Sequence, residues 1–167
     1  MRTLSLYLVR HGLAAERGAE WPDDGKRPLV PRGVARLRKE AAALKTLDVT
    51  FDVILTSPLT RAKQTADVLA AGLSPHPPVH AIQSLAPGGT DAAFLADLAK
   101  HTRRSHVACV GHEPDLGQLA ARLIGAKGAI EFKKGAICRI DFDALPVSGP
   151  GHLRWFVTPR MLKGIAG

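Results

Sequence analysis

An apolar run near the start of the sequence ends abruptly in charged residues, and this run constrains the fold more than any other feature. Residues 4–9 are apolar or aromatic at every position except Ser5, and Arg10, His11 and Gly12 follow at once. A strand that is apolar on both faces is typical of the centre of a sheet covered by helices on each side. The carboxyl end of such a strand opens onto the crevice where α/β sheets bind ligands, and glycine permits a sharp exit of the backbone. Arginine and histidine at this place can hold an anion and attack it.

Strand-like and helix-like segments alternate along the rest of the chain. Parallel strands are predicted over residues 4–9, 53–56, 79–82 and 106–110, and two antiparallel strands over residues 136–142 and 153–157. Helices are predicted around residues 34–44, from Ser57 to about Leu73, from Thr90 or Asp91 through Leu98, and from Pro114 through Ile124. The alternation predicts a three-layer αβα fold with a mostly parallel central sheet. Because 167 residues are close to the usual domain size, we expect a single domain over residues 1–167.

Three of the predicted strand exits carry side chains suited to anion chemistry. The pair Ser57-Pro58 is typical of an N-cap and a first helical turn, which would place Arg61 in that turn, facing the crevice. Parallel strands collect their carboxyl ends at one edge of a sheet, so residues 10–12, 57–61 and 111–113 are expected to converge. The sequence contains neither the dinucleotide fingerprint nor the phosphate-loop motif, so phosphate chemistry here cannot rest on a glycine-rich cradle.

At these residues the sequence resembles the histidine phosphatase superfamily, whose signature begins with Arg-His-Gly, and within it the small SixA-like phosphohistidine phosphatases. The motifs that carry the resemblance extend over most of the chain: Arg10-His11-Gly12, Arg27-Pro28-Leu29 with Gly33, Ser57-Pro58-x-x-Arg61-Ala62-x-Gln64-Thr65, Leu85-Ala86-Pro87-Gly88-Gly89 and Gly111-His112-Glu113-Pro114. The third motif is the most specific, because it fixes many identities at fixed spacing. The resemblance implies a phosphoglycerate-mutase-like fold and a phosphatase that needs no cofactor.

The resemblance also implies roles for four residues. His11 is expected to attack phosphorus and form a covalent phosphohistidine, which water then hydrolyses to release inorganic phosphate. Arg10 and Arg61 are expected to clamp the phosphoryl oxygens with forked guanidinium donors. His112 is expected to donate a further hydrogen bond that stabilises negative charge in the transition state.

The sequence departs from the wider superfamily at the general acid. Larger members place a carboxylate before the third motif, whereas residues 83–89 contain none. The carboxylates that could substitute are Glu113, Asp91, Asp23, Asp24 and Glu16, although none stands at the acid's position. Neutral imidazole, whose conjugate acid has a pKa of about 6.5, leaves far more readily than an alkoxide, whose conjugate acid has a pKa near that of water at ~15.7. The missing acid therefore favours a phosphohistidine on a phosphorelay protein as the substrate.

Two other functions stay open at this point. A phosphatase for small phosphate esters or anhydrides would require one of these carboxylates, such as Glu113, to act as the acid. A non-catalytic phosphate-binding module is the third alternative, and it is disfavoured because the nucleophile and its three supporting residues are all present. The expected partner is accordingly a phosphorylated protein or a small phosphorylated molecule.

The composition narrows the classes of partner that the protein can be expected to bind. The chain has 23 Lys and Arg against 15 Asp and Glu, and this net charge of +8 favours anionic partners. The basic residues are spread along the sequence without the aromatic platforms of single-stranded nucleic-acid binders, so we predict a solvated basic surface and no nucleic-acid partner.

The two cysteines and the start of the chain allow further expectations. Cys109 and Cys138 lie in apolar runs and are predicted to be buried thiols. Cys109 and His112 have half of a zinc-site spacing, but no second cluster accompanies them, so no metal is expected.

No apolar run approaches the ~20 residues of a membrane-spanning helix. Met1-Arg2-Thr3 leads into a core strand rather than a signal peptide, which predicts a cytoplasmic protein with no membrane partner.

Overall fold

Residues 3–166, the part of the chain that the computed structural model describes, form six strands and five helices. The strands are β1 (Leu4–Arg10), β2 (Val53–Thr56), β3 (Val79–Ala81), β4 (His106–Gly111), β5 (Ile137–Phe142) and β6 (His152–Val157). The helices are α1 (Pro31–Thr46), α2 (Thr60–Gly72), α3 (Asp91–Ala99), α4 (Asp115–Leu123) and α5 (Pro159–Ala166). The prediction for the segment that begins with Met1 and Arg2 concerns two residues outside this range.

The six strands form one sheet in the order β3-β2-β4-β1-β5-β6. β1 pairs in parallel with β4, β4 pairs in parallel with β2, and β2 pairs in parallel with β3. β5 runs antiparallel to its two neighbours, β1 and β6. The predicted mostly parallel sheet and the predicted antiparallel pair of strands at the end of the chain are confirmed.

The central strand β1 separates two hydrophobic cores. Leu4, Leu6 and Leu8 are fully buried on one face of the sheet, in a cluster that includes apolar side chains of α3 and α4. Tyr7 and Val9 are buried on the other face, in a cluster that includes side chains of α1, α2 and α5. Because each core needs its own layer of helices, this burial explains the apolar run at the start of the sequence and confirms the three-layer αβα fold.

Helix boundaries follow the predicted capping residues in one case and depart from them in another. Thr90 caps α3 as predicted, because its side chain accepts a hydrogen bond from the backbone N–H of Ala93. The prediction that Ser57 caps α2 is wrong: the cap is Leu59, and the helix begins at Thr60. Residues 57–59 lie before the helix, and the Ser57 hydroxyl accepts the backbone N–H of Leu59 at 3.2 Å rather than an N–H of the first helical turn. Arg61 nevertheless falls in the first turn of α2, as predicted.

The sequence analysis missed α5. This helix has only eight residues and contains Gly164, so it shows no extended helical periodicity. The side chain of Leu162 in this helix is fully buried and packs in the same core cluster as Leu37 and Leu44 of α1. Among the helices of residues 3–166, none combines the length and the hydropathy that a membrane-spanning segment needs.

Candidate active site

The ends of β1, β2 and β4 meet at one edge of the sheet. The backbone N–H of His11 donates to the carbonyl oxygen of Gly111 at 3.1 Å, and that of Ser57 donates to Val110 at 3.0 Å. The imidazole rings of His11 and His112 lie 5.2 Å apart between their centroids. The convergence that strand order predicted for these three segments is confirmed.

These strand ends line an open cleft of about 740 Å³. All five residues that the sequence analysis selected line it, namely Arg10, His11, Arg61, His112 and Glu113. His11, Arg61 and His112 are buried, whereas Arg10 and Glu113 are partly exposed. The structure therefore brings together, within one cavity, two imidazoles, two guanidinium groups and a carboxylate.

A hydrogen bond determines which ring nitrogen of His11 carries its proton. Nδ1 lies 2.7 Å from the carbonyl oxygen of Gly12. Because a carbonyl oxygen only accepts, Nδ1 is the donor, and in the neutral ring Nε2 then keeps its lone pair. Burial, together with the nearby His112, Arg61 and Arg10, lowers the pKa of His11 to about 3, and the hydrogen bond to Gly12 opposes this shift. At neutral pH His11 is an uncharged imidazole with a free lone pair on Nε2.

Ser57 orients the second imidazole. Its hydroxyl lies 2.7 Å from Nε2 of His112, and the same oxygen accepts the backbone N–H of Leu59 at 3.2 Å. The hydroxyl of Ser57 can donate to Nε2 or accept from it, and we assign it the donor role, which places the proton of neutral His112 on Nδ1, the ring nitrogen with no partner among the described residues. Burial, followed by the charge of Arg61, lowers the pKa of His112 to about 4. Ser57, which the sequence analysis treated as a helix cap, thus holds one tautomer of His112.

Asp24 holds the guanidinium group of Arg61. One terminal nitrogen donates to the backbone oxygen of Asp24 at 2.9 Å, and the other donates to its carboxylate at 3.0 Å. The carboxylate also accepts a bond from Nε of Arg27 at 3.1 Å. Although desolvation opposes it, the charges of Arg61 and Arg27 lower the pKa of Asp24. The sequence analysis considered Asp24 only as an acid, whereas the structure shows an ionised partner of Arg61.

Several nitrogen donors of the cleft have no acceptor in the protein. Five buried side-chain polar atoms of the described residues lack a hydrogen-bond partner, and three of them are Nε of Arg10, Nε of Arg61 and Nδ1 of His112. Arg10 is anchored by its terminal nitrogen, which donates to the carbonyl oxygen of Phe132 at 2.8 Å. Buried donors are nearly always paired, so three unpaired donors in one cleft fit an anionic ligand with several acceptor oxygens.

Two further residues of the motif that contains Arg61 connect α2 to the exit of β1. The hydroxyl of Thr65 accepts the backbone N–H of Gly12 at 3.0 Å and donates to the carbonyl oxygen of Arg61 at 2.7 Å. The side-chain oxygen of Gln64 accepts the backbone N–H of Leu29 at 2.8 Å. The spacing of the motif therefore has a physical cause, because it places these groups on the helix face that meets the segment after β1.

The carboxylates considered as a general acid lie in different surroundings. Glu113 and Glu16 line the cleft together with Asp24, whereas Asp91 pairs with Arg122 outside it, and Asp23 accepts the backbone N–H of Gly25. The carboxylate of Glu113 accepts the N–H of Gly117 at 2.7 Å. Burial raises the pKa of Glu113, and the hydrogen bond from Gly117 and the charge of Arg10 oppose that rise.

The cysteines are buried as predicted. Cys109 and Cys138 are fully buried thiols, and burial raises the pKa of both. Within residues 3–166, no group of three or more histidine, cysteine, aspartate or glutamate side chains is arranged to hold a metal ion.

The fold and the paired histidines at the strand ends define one class of enzyme. The chain belongs to the histidine phosphatase superfamily, whose branch 1 profile matches residues 6–86. Phosphohistidine phosphatase SixA of Escherichia coli (strain K12) is 30% identical to it over 162 residues, which are 96% of this chain and 97% of SixA. The resemblance seen in the sequence motifs is thereby confirmed, and the protein is a phosphatase of this superfamily.

Two further comparisons extend this similarity. The solved structure of the protein histidine phosphatase SixA complexed with tungstate has a TM-score of 0.84 at 28% identity, and the alignment covers 96% of this chain and 100% of that one. An uncharacterized protein of Picosynechococcus sp. is 48% identical over 139 residues, which are 80% of this chain and 82% of that protein. The SixA-like architecture therefore extends over nearly the whole chain.

Proposed function

We propose that the protein is a phosphohistidine phosphatase that removes the phosphoryl group from a histidine of a phosphorelay protein. The observation that carries this proposal is the set of unpaired donors on Arg10, Arg61 and His112, three residues that line one cleft with His11, whose Nε2 holds a lone pair. A phosphoryl group supplies the oxygen acceptors for those donors and the electrophilic atom for that lone pair. The similarity to SixA and to its tungstate complex supports the same conclusion, since tungstate is also an oxyanion.

In the first step His11 acts as the nucleophile. Its Nε2 forms a bond to phosphorus while the bond between phosphorus and the substrate imidazole breaks. The electron pair of the broken bond returns to the substrate nitrogen, and the substrate ring leaves as neutral imidazole because it carries a proton on its other nitrogen. Both bonds join phosphorus to an imidazole nitrogen, so the step is close to thermoneutral. Because burial holds His11 neutral, the lone pair is available throughout the neutral pH range.

The charged and polar groups of the cleft stabilise the transferring phosphoryl group. In the transition state negative charge is spread over its three equatorial oxygens, and the guanidinium groups of Arg10 and Arg61 neutralise that charge. The Nδ1–H of His112, directed by Ser57, donates a further hydrogen bond. Asp24 acts as a positioning residue, because it orients Arg61.

In the second step water hydrolyses the phosphohistidine on His11. The water oxygen bonds to phosphorus, the bond to Nε2 breaks, and inorganic phosphate leaves. An imidazole leaving group needs little proton assistance in either step, which fits a cleft in which Asp24 is committed to an arginine and Glu113 to a backbone N–H.

A substrate panel with two variants tests this proposal. Turnover is compared on a phosphohistidine-bearing protein domain, on p-nitrophenyl phosphate and on alkyl phosphates. His11→Ala should abolish turnover and the acid-labile phosphoenzyme, and the exposed His152→Ala is the matched control that should keep both. Normal turnover by His11→Ala would refute the covalent route.

The panel also separates the proposal from its alternative. Preference for phosphorus–nitrogen substrates is the expected result. Efficient hydrolysis of alkyl phosphates, lost in Glu113→Gln, would instead assign the acid to Glu113 and make the protein a phosphatase for small esters.

A further inference from the structure

A second cavity, of about 870 Å³, lies beside the catalytic cleft. Its walls come from α1, from residues 133–135 and from the first turns of α5, and we refer to it as the α1–α5 cavity. Arg10, Leu13, Arg32 and Lys134 line both the cavity and the cleft. The two spaces are therefore neighbours, but most of the lining of the α1–α5 cavity belongs to elements that the proposed reaction does not use.

Basic side chains gather around this cavity although they are dispersed in the sequence. In addition to the arginines and lysine shared with the cleft, the lining includes Arg36, Lys39, Lys133, Arg160 and Lys163. Lys133 forms an exposed ion pair with a neighbouring glutamate, whereas the other four form no ion pair with any residue between 3 and 166. Unneutralised positive charge on several sides of one cavity favours a ligand that carries several negative charges.

The one acidic residue in the lining does not cancel this charge. Glu40 is buried, its Oε2 has no hydrogen-bond partner, and Gly135, at a φ of +83°, lies so close that a Cβ there would be 2.5 Å from Oε1. Burial raises the pKa of Glu40 to about 8, so the carboxyl group is mostly protonated at neutral pH. A protonated carboxyl group is a hydrogen-bond donor, and it can donate to an oxygen of an anion.

We propose that the α1–α5 cavity is a second ligand site, which binds a small free polyanion of the class of oligophosphates and nucleotides. The volume is within the range of small-molecule sites, which is roughly 300–1,000 Å³. Basic side chains of α1, of residues 133–134 and of α5 line different walls of this cavity, so a small ligand inside it can contact several of them at once, whereas a flat protein surface would reach only its rim. The site is distinct from the phosphoryl-transfer chemistry, so it does not depend on the proposed function.

Isothermal titration with inorganic tripolyphosphate tests the site in the full chain. The titrations use the Arg61→Ala background, in which the catalytic cleft is disabled, and there the double variant Arg36→Glu with Lys163→Glu reverses two charges of the cavity and should weaken binding at least tenfold. The matched control is Arg38→Glu with Lys45→Glu, which makes the same charge change at exposed positions of α1 that do not line the cavity. The control should stay within about threefold of Arg61→Ala alone, since distant exposed charges are screened by salt.

A third variant separates the cavity from the catalytic cleft. Arg61→Ala disables the cleft and should retain tripolyphosphate binding with a stoichiometry of one. Three outcomes would overturn the proposal. Arg61→Ala could lose tripolyphosphate binding, the cavity and control variants could lose it equally, or the protein could show no saturable binding at millimolar concentration. A thermal melt of every variant shows whether a loss reflects unfolding, and in that case the single variants Arg36→Gln and Lys163→Gln replace the double one.

Discussion

The buried carboxyl group of Glu40 makes the stability of this protein depend on pH in a direction that can be measured. Its pKa is about 8 in the folded state and 4.5 in an ordinary environment. Between these values the folded state binds more protons than the unfolded state, so the free energy of unfolding falls as pH rises. The stabilising contribution is complete below pH 4.5 and is lost as pH rises through 8. Glu40→Gln removes this dependence, because an amide does not titrate.

The size of the effect follows from the two pKa values. At pH 7 the carboxyl group is ionised in the unfolded state and mostly protonated in the folded state, so folding must bind a proton. The free-energy cost of binding it is set by the difference between the unfolded pKa of 4.5 and the pH of 7. Each pKa unit corresponds to about 1.4 kcal/mol, so this interval corresponds to about 3 kcal/mol. The difference in unfolding free energy between Glu40→Gln and the unaltered protein should therefore increase by about 3 kcal/mol from pH 4.5 to pH 7.

Urea unfolding at four pH values between 4.5 and 8 provides the measurement. Circular dichroism follows the unfolding of both proteins. Subtracting one unfolding free energy from the other at each pH cancels the titration of all other groups, including His11 and His112. Glu20→Gln, which removes a carboxylate from an exposed position, controls for the change in net charge. If the curves of Glu40→Gln and the unaltered protein stay parallel within about 1 kcal/mol, the burial argument for Glu40 is refuted.

Three further changes test the geometry of the site and its support. Ser57→Ala should lower kcat about tenfold and should shift the ring proton of His112 away from Nδ1 in nitrogen NMR, and an unchanged tautomer would contradict this assignment. Asp24→Asn should raise KM more than it lowers kcat, because Arg61 loses its charged partner, and steady-state kinetics would show the split. Gly33→Ala would place a methyl group 2.3 Å from the backbone oxygen of Leu13. This clash should reduce the free energy of unfolding by roughly 1–3 kcal/mol in urea titrations, and unchanged stability would mean that α1 can move away from Leu13.

Several features of the structure could be predicted because they depend on short stretches of sequence. The run at residues 4–9 is apolar enough to indicate a strand buried on both faces, and it forms the centre of the sheet. β2 occupies the predicted residues 53–56. The meeting of His11, Arg61 and His112 in one cleft could be predicted from the parallel arrangement of the strands, because parallel strands place their carboxyl ends at one edge.

Other features depend on contacts between distant segments, which no local pattern contains. The bond from Ser57 to His112 spans 55 positions, and the pairing of Arg61 with Asp24 spans 37. Local preference suggested a helix cap for Ser57, whereas the structure uses its hydroxyl to orient an imidazole. The helix α5 was missed because its stability comes from packing Leu162 into a core, not from an extended periodic pattern.

The sequence by itself determined the six strands and the first four helices, their alternation and the residue types at each strand end, since these follow from local propensity and apolar periodicity. Only the tertiary structure decided how charge is distributed. Basic residues that are spread between positions 32 and 163, and that predicted a solvated surface, gather around one cavity because α1 and α5 pack side by side. The protonation states of His11 and Glu40 were likewise settled by burial, because a charge loses its hydration only when segments distant in sequence enclose it.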